Sequence, residues 1–180
     1  MKIIILDRDG VINYDSPDYI KSPDEWHPIA GSLEAIARFH QAGWKVVVAS
    51  NQSGLARHLF DAPTLTKIHH KMRESLASVG GVIDAFFICP HGPDDHCNCR
   101  KPLPGLFHDI ARRFDISLTG VPAVGDSLRD LEASHAAGCQ PWLVETGNGL
   151  KTKAKGNLPE NVKFARHLSD VADQILAQQN

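Results

Sequence analysis

Two aspartates stand two positions apart where an apolar run stops: Asp7 and Asp9, in IIILDRDGVIN over residues 3 to 13. In extended chain, residues i and i+2 point to the same side, so both carboxylates are expected to address one ligand while Arg8 turns away. Two such charges about 4 Å apart repel by about 4 kcal/mol at an effective dielectric near 20, so the pair calls for a cation, a shared proton, or both. Asp126, in VGDSLRD, adds a third acid, and oxygen donors of this kind suit a hard cation such as Mg2+. A turn at Asp9-Gly10 and a helix N-cap at Asp126 account for the same residues without chemistry. The stretch SNQSG offers the Ser50 and Ser53 hydroxyls, the amides of Asn51 and Gln52, and backbone N–H groups around Gly54. That is a donor set able to cradle a phosphate, although an ordinary turn has the same composition.

A third cluster, CPHGPDDHCNCRKP, holds Cys89, His91, Cys97 and Cys99 in a C-x-H then C-x-C arrangement, with His96 as a competing ligand. These are the donors tetrahedral zinc prefers, and Cys97 and Cys99 are poorly spaced to bridge each other. Arg100 and Lys101 follow at once, so a metal-ordered loop would aim two cations the same way, as an anionic ligand requires. In GDSLRD, Asp130 lies one helical turn past Asp126 on the same helical face.

The elements that must position these groups are legible as alternation. Apolar runs of strand length at 2–6, 45–50, 83–89, 121–125 and 140–144 alternate with helical patterns at 32–43, 63–79, 103–115, 128–137 and 168–178, the last capped by Ser169 or Asp170. This predicts an α/β fold, a central parallel sheet of about five strands covered on both faces by helices. The segment 145–161 reads as a mobile loop. In an open parallel sheet, ligands bind beyond the carboxyl ends of the strands, which is where all four clusters fall.

The 180 residues fit one domain, able to bury about 70% of the unfolded chain's surface. With 19 basic and 21 acidic side chains and no block of basic residues, the footprint of a nucleic-acid binder is missing, which argues against a zinc-dependent nucleic-acid module. No apolar run reaches the ~18 residues of a membrane span, and the four apolar residues after Lys2 are too few for a signal segment of roughly 7 to 15. A cytoplasmic monomer acting on a small molecule, without nucleic-acid or membrane partners, is the expectation.

In order, DRDG after an apolar strand, SNQSG, CRKP and GDSLRD resemble the four motifs of haloacid dehalogenase (HAD) superfamily phosphatases, and the match spans almost the whole chain. The resemblance implies a three-layer Rossmann-like domain in which Asp7 attacks phosphorus to give an aspartyl phosphate. Asp9 protonates the departing alkoxide and later deprotonates water, and Ser50 and Lys101 hold the transferred group. Mg2+ is then expected on Asp7, Asp126 and the backbone carbonyl of Asp9, with Asp130 supporting Asp126 from behind. The gaps between motifs leave no space for a cap domain.

A capless site with a zinc loop narrows the resemblance to two families: the D-glycero-D-manno-heptose 1,7-bisphosphate phosphatases and the histidinol-phosphate phosphatases that are often fused to a dehydratase. The stretches LDRDGVIN, SNQSG and CNCRKP are more similar to the former, and 180 residues leave no room for a fused partner. The heptose family implies removal of the C7 phosphate on the way to nucleotide-activated heptose for lipopolysaccharide. It places Arg100 at the retained C1 phosphate, and Asp15 and Tyr19 of the flap NYDSPDYIKSPDEW at the sugar. Asn51, Gln52 and Ser53 are the remaining expected substrate contacts. Ser127, where relatives can carry lysine, and the short loop from His91 to Cys97 depart from the pattern and bear on which anomer is taken.

Overall fold

The computed structural model describes residues 1–178. The strands are β1 (Ile3–Leu6), β2 (Lys45–Asn51), β3 (Ala85–Cys89), β4 (Pro122–Gly125), β5 (Gln140–Val144) and β6 (Lys163–Ala165). The helices are α1 (Ser32–Gln41), α2 (Ala62–Ala77), α3 (Gly105–Phe114), α4 (Leu128–Ala136), α5 (Gly149–Lys155) and α6 (Leu168–Ala177). The described strands form one parallel sheet in the order β3-β2-β1-β4-β5-β6, six strands where five were expected.

The apolar strand runs follow from two-sided burial. Along β1, Ile4 and Leu6 enter one core with Ile36 and Phe39 of α1, Met72 of α2 and Val171 of α6; Ile3 and Ile5 enter the other with Phe107 and Ile110 of α3 and Ala133 of α4. Helices therefore cover both faces of the sheet, giving three layers.

Three expectations are corrected. The extra strand β6 is a three-residue edge with two exposed positions, too short to register as an apolar run. The segment 145–161 is not simply a loop, because its middle is α5, a helix with few apolar residues that buries Gly149 and Thr152. The cap of α6 is His167, whose ring nitrogen accepts from the Asp170 N–H, rather than Ser169 or Asp170.

The strand order reverses between β1 and β4. Chain succession runs outward from β1 through β2 to β3, and then resumes on β1's other side with β4. A crevice opens at the carboxyl ends of two such diverging strands. Asp7 leaves β1 with its N–H bonded to Val124 O of β4 at 2.9 Å, and Asp126 leaves β4, so the first and third acids meet at that crevice.

Candidate active site

The crevice is a cleft of about 340 Å³ floored by Asp7, Asp9, Lys101, Asp126 and Asp130. Carboxylate oxygens of Asp7, Asp126 and Asp130 all lie within 4.8 Å of one another. The Lys101 ammonium, 2% exposed, sits between two of them, 3.0 Å from Asp7 Oδ1 and 2.6 Å from Asp130 Oδ1, and donates to Ala49 O at 2.8 Å. Burial alone would favour neutral lysine, but the charges of Asp130 and Asp7 outweigh it and hold the amine protonated. Asp130 stays ionised because Lys101 and the Ser127 hydroxyl outweigh its burial. In that role Ser127 caps α4, exchanging hydrogen bonds with Asp130.

One lysine does not balance three acids. Burial, then the charge of Asp130, lifts Asp7 to about 7 despite Lys101; burial, then Asp130 and Asp7, lifts Asp126 to about 8. A further cation is what this donor set lacks, and three carboxylates within reach of one another suit Mg2+. Two glycines make room for Asp126. A Cβ on Gly10 (φ 83°) would lie 2.1 Å from Asp126 Oδ2, and one on Gly147 (φ 59°) 2.2 Å from the same atom.

Asp9 lies on the same floor, yet the alternation argument that placed it there also placed Arg8 facing away, and that part is overturned. β1 ends at Leu6, so the following residues obey no strand alternation; Arg8 O instead closes a turn by accepting from Ile12 N at 2.8 Å and Asn13 N at 3.2 Å. Arg8 is 1% exposed and folds back onto Asp9. Burial would raise the Asp9 carboxyl, but Arg8, with Asn13 and Gln52, holds it below the usual range.

The residues of the SNQSG stretch take different places. Asn51, Gln52 and Ser53 line the cleft, whereas Ser50 is buried and accepts from Gln52 Nε2 at 2.8 Å. Gln52 Nε2 also reaches Asp9 Oδ2 at 2.9 Å. Asn51 clamps Lys101, its Oδ1 accepting from Lys101 N at 3.0 Å and its Nδ2 donating to Lys101 O at 3.1 Å.

Asp15 and Tyr19 line the cleft from the flap. The flap is pinned by the fully buried Trp26 and by Lys71 of α2, whose ammonium donates to Pro23 O at 2.6 Å and Trp26 O at 3.0 Å. Sequence reasoning missed Arg57, Arg129 and Asn148 on the walls. Asn148 N donates to Asp126 Oδ2 at 2.7 Å, and nearby Thr146 and Thr152 hydroxyls donate to Gly10 O and Asp126 O at 2.6 and 2.8 Å. Their signal was the TGNG turn at the carboxyl end of β5, the one strand end left out of the search.

Beside the cleft, Cys89 Sγ lies 3.2 Å from Cys99 Sγ, 3.8 Å from Cys97 Sγ and 3.6 Å from His91 Nδ1, and Cys99 Sγ lies 3.4 Å from His91 Nδ1. Tetrahedral zinc with bonds near 2.3 Å to sulfur and 2.0 Å to nitrogen requires edges of about 3.8 and 3.5 Å, so the four donors fit such an ion. All four cysteines are free, and His96 lies outside the group. Arg100 leaves this loop for the cleft wall, with Nη1 donating to His91 O at 3.2 Å.

The chain is similar to known proteins along its whole length. A family model described as polynucleotide kinase 3 phosphatase matches residues 2–129, and one described as HAD-hydrolase-like matches residues 98–173. The D-glycero-beta-D-manno-heptose-1,7-bisphosphate 7-phosphatase of Bordetella bronchiseptica is 64% identical over 178 residues, covering 99% of each chain. The chain belongs to this family of HAD-type phosphatases. The Pseudomonas aeruginosa member of the heptose-bisphosphate phosphatases is 52% identical, with 97% of each chain covered. A crystal structure of the B. bronchiseptica phosphatase, complexed with magnesium and phosphate, superposes with a TM-score of 0.98 over 99% of both chains. The Burkholderia thailandensis phosphatase, 47% identical, gives 0.79 over 98% of this chain and 99% of its own. As a HAD phosphatase the chain is a phosphoric monoester hydrolase. Among the described residues no helix is long and apolar enough to cross a membrane.

Proposed function

We propose that the protein removes the C7 phosphate of D-glycero-β-D-manno-heptose 1,7-bisphosphate, leaving heptose 1-phosphate, as a cytoplasmic step toward nucleotide-activated heptose for lipopolysaccharide. The observation that carries the reading is the meeting of Asp7, Asp126 and Asp130 around the Lys101 ammonium, 3.0 Å from Asp7, on the floor of a polar cleft. The β-heptose names of the relatives support the substrate and its anomer.

Asp7 attacks phosphorus, its carboxylate oxygen forming the new P–O bond as the bond to the C7 oxygen breaks. Asp9, ionised beside Arg8, Asn13 and Gln52 until the bound phosphate dianion raises its proton affinity, takes up a proton from solvent and passes it to that oxygen, then takes one from the water that attacks the aspartyl phosphate, releasing inorganic phosphate and restoring Asp7. Anion meets anion in the first step, so neutralisation is the main catalytic need. Lys101 supplies one fixed positive charge, and Asn51 on its backbone keeps it aimed. The Ser50 hydroxyl accepts from Gln52 and has its own proton free for a phosphoryl oxygen. Asp7, Asp126 and the Asp9 carbonyl would hold Mg2+, which supplies the remaining neutralising charge when bound. Cys89, His91, Cys97 and Cys99 would hold Zn2+ and so fix the loop that carries Arg100 to the retained C1 phosphate.

Phosphate release from the α and β bisphosphates and from histidinol phosphate tests the reading. The β bisphosphate is expected to have the highest kcat/KM, and Asp7→Asn to release no phosphate. Preference for histidinol phosphate, or normal turnover by Asp7→Asn, overturns the substrate or the covalent step respectively.

A further inference from the structure

Arg8 is a guanidinium almost wholly removed from water, and its one carboxylate partner among the described residues is Asp9. Nε donates to Asp9 Oδ1 at 3.0 Å, and Nη2 reaches Oδ1 at 2.9 Å and Oδ2 at 3.0 Å. Asn13 Nδ2 adds a bond to Oδ1 at 2.9 Å, and Gln52 Nε2 one to Oδ2 at 2.9 Å. Both oxygens of a short carboxylate are thus fixed in direction by three side chains. Burying a charged pair between neighbouring residues is a poor source of stability, because desolvation cancels most of the attraction. It is a good source of geometry, because a planar fork fixes the plane of the carboxylate it holds.

The remaining Arg8 nitrogen, Nη1, is buried with no hydrogen-bond partner among the described residues, so every hydrogen bond the guanidinium makes goes to Asp9.

We propose that Arg8, through its fork on both Asp9 oxygens, is the positioning residue that sets the Asp9 carboxylate against the leaving-group oxygen. The inference rests on Asp9 being the acid and base of the reaction. It concerns where the carboxylate points, so the test varies the need for a proton at the leaving group. The sugar C7 oxygen departs as a poor leaving group that needs the proton; p-nitrophenolate departs without one. Each variant is assayed in magnesium-containing buffer with the heptose bisphosphate and with p-nitrophenyl phosphate.

Arg8→Met is expected to lower kcat/KM for the bisphosphate about 100-fold, within the range of general acid catalysis, and for the nitrophenyl ester no more than about threefold. Arg8→Lys, which keeps the charge and loses the fork, should fall between. Asp9→Asn should share the selectivity, and adding Arg8→Met to it should cost nothing more on the bisphosphate, since both act through one group. Equal losses on both substrates for Arg8→Met and Arg8→Lys, or additive losses in the double variant, overturn the positioning role and leave Asp9 as the acid. If Asp9→Asn itself loses kcat/KM equally on both substrates, the assignment of Asp9 as the acid fails and the inference fails with it.

Discussion

Replacing Lys101 by Met should damage both fold and turnover, and the geometry says by how much. The ammonium lies 3.0 Å from Asp7 and 2.6 Å from Asp130, separations at which single pairs attract by about 5.5 and 6.4 kcal/mol at an effective dielectric near 20. Desolvation of the ammonium offsets part of this, so the expected net cost is that of stranding buried charge, about 3 to 5 kcal/mol, with Ala49 O also losing its donor. For a chain of this size that lowers the melting temperature by roughly 6 to 20 °C. The loss should grow with pH. Without the lysine, Asp7, already lifted to about 7, titrates higher still, and a carboxylate whose folded pKa lies above its unfolded value withdraws stability as pH rises toward the folded value. Melting followed by circular dichroism at pH 5 and pH 8 in magnesium-free buffer measures both effects. Adding Asp130→Asn should recover much of the stability by removing one stranded charge, while kcat stays about 100- to 1,000-fold below wild type because the neutralising cation is still missing. A Lys101→Met protein that melts within about 2 °C of wild type at pH 8 would refute the reasoning. So would a double variant no more stable than the single one.

The sulfur cluster and His69 give two further expectations. Elemental analysis should find about one zinc per chain, and Cys97→Ser combined with Cys99→Ser should abolish it and raise KM for the bisphosphate, because Arg100 leaves the same loop; stoichiometric zinc in that variant would remove the ligand assignment. Burial, with the charges of Arg8 and Arg73 opposing that of Asp9, holds His69 down to about 4, below its unfolded value near 6.5. The folded state thus resists a proton that the unfolded chain accepts, so stability from this group is complete above pH 6.5 and is lost as pH falls toward 4. Urea titrations at pH 7 and pH 4.5 should show His69→Phe keeping up to roughly 2 kcal/mol that wild type loses, after allowance for partial exposure of the ring, and identical losses in the two proteins would contradict this.

What the sequence shows of this molecule follows from where its order is local. Strands buried on both faces must be apolar throughout, so β1 to β5 stand out as runs whose last residue hands over to a polar one, and Asp7, Ser50, Cys89 and Asp126 are found by reading those handovers. Arg8 was misplaced because a periodicity valid to Leu6 was carried into a turn set by Arg8's own carbonyl. Thr146, Asn148 and Thr152 were passed over because the one local mark, the TGNG turn at the carboxyl end of β5, names no partner, and the partners, Gly10 and Asp126, lie 22 to 136 residues away. Helix α5 and strand β6 carry little apolar surface and owe their shape to the sheet edge they cover.

The site is also the part of the molecule that stability alone would not build. Asp7, Asp126 and Asp130 are brought within 4.8 Å with one lysine among them, glycines at 10 and 147 hold open the space around Asp126, and a buried arginine is committed to a neighbouring aspartate. The crowded acids and the buried arginine cost folding free energy that a carboxamide or a leucine would spare. The compensation is spread along the sheet, where two apolar cores of buried Ile, Val and Leu flank the strands that end in these acids. Fixed positive charge is what lowers the barrier when a carboxylate approaches a phosphate dianion, and Lys101 supplies only part of it. The crowding that lifts Asp7 to about 7 and Asp126 to about 8 makes the cleft a place for a second cation, and the two cations together make it a place for an anionic substrate.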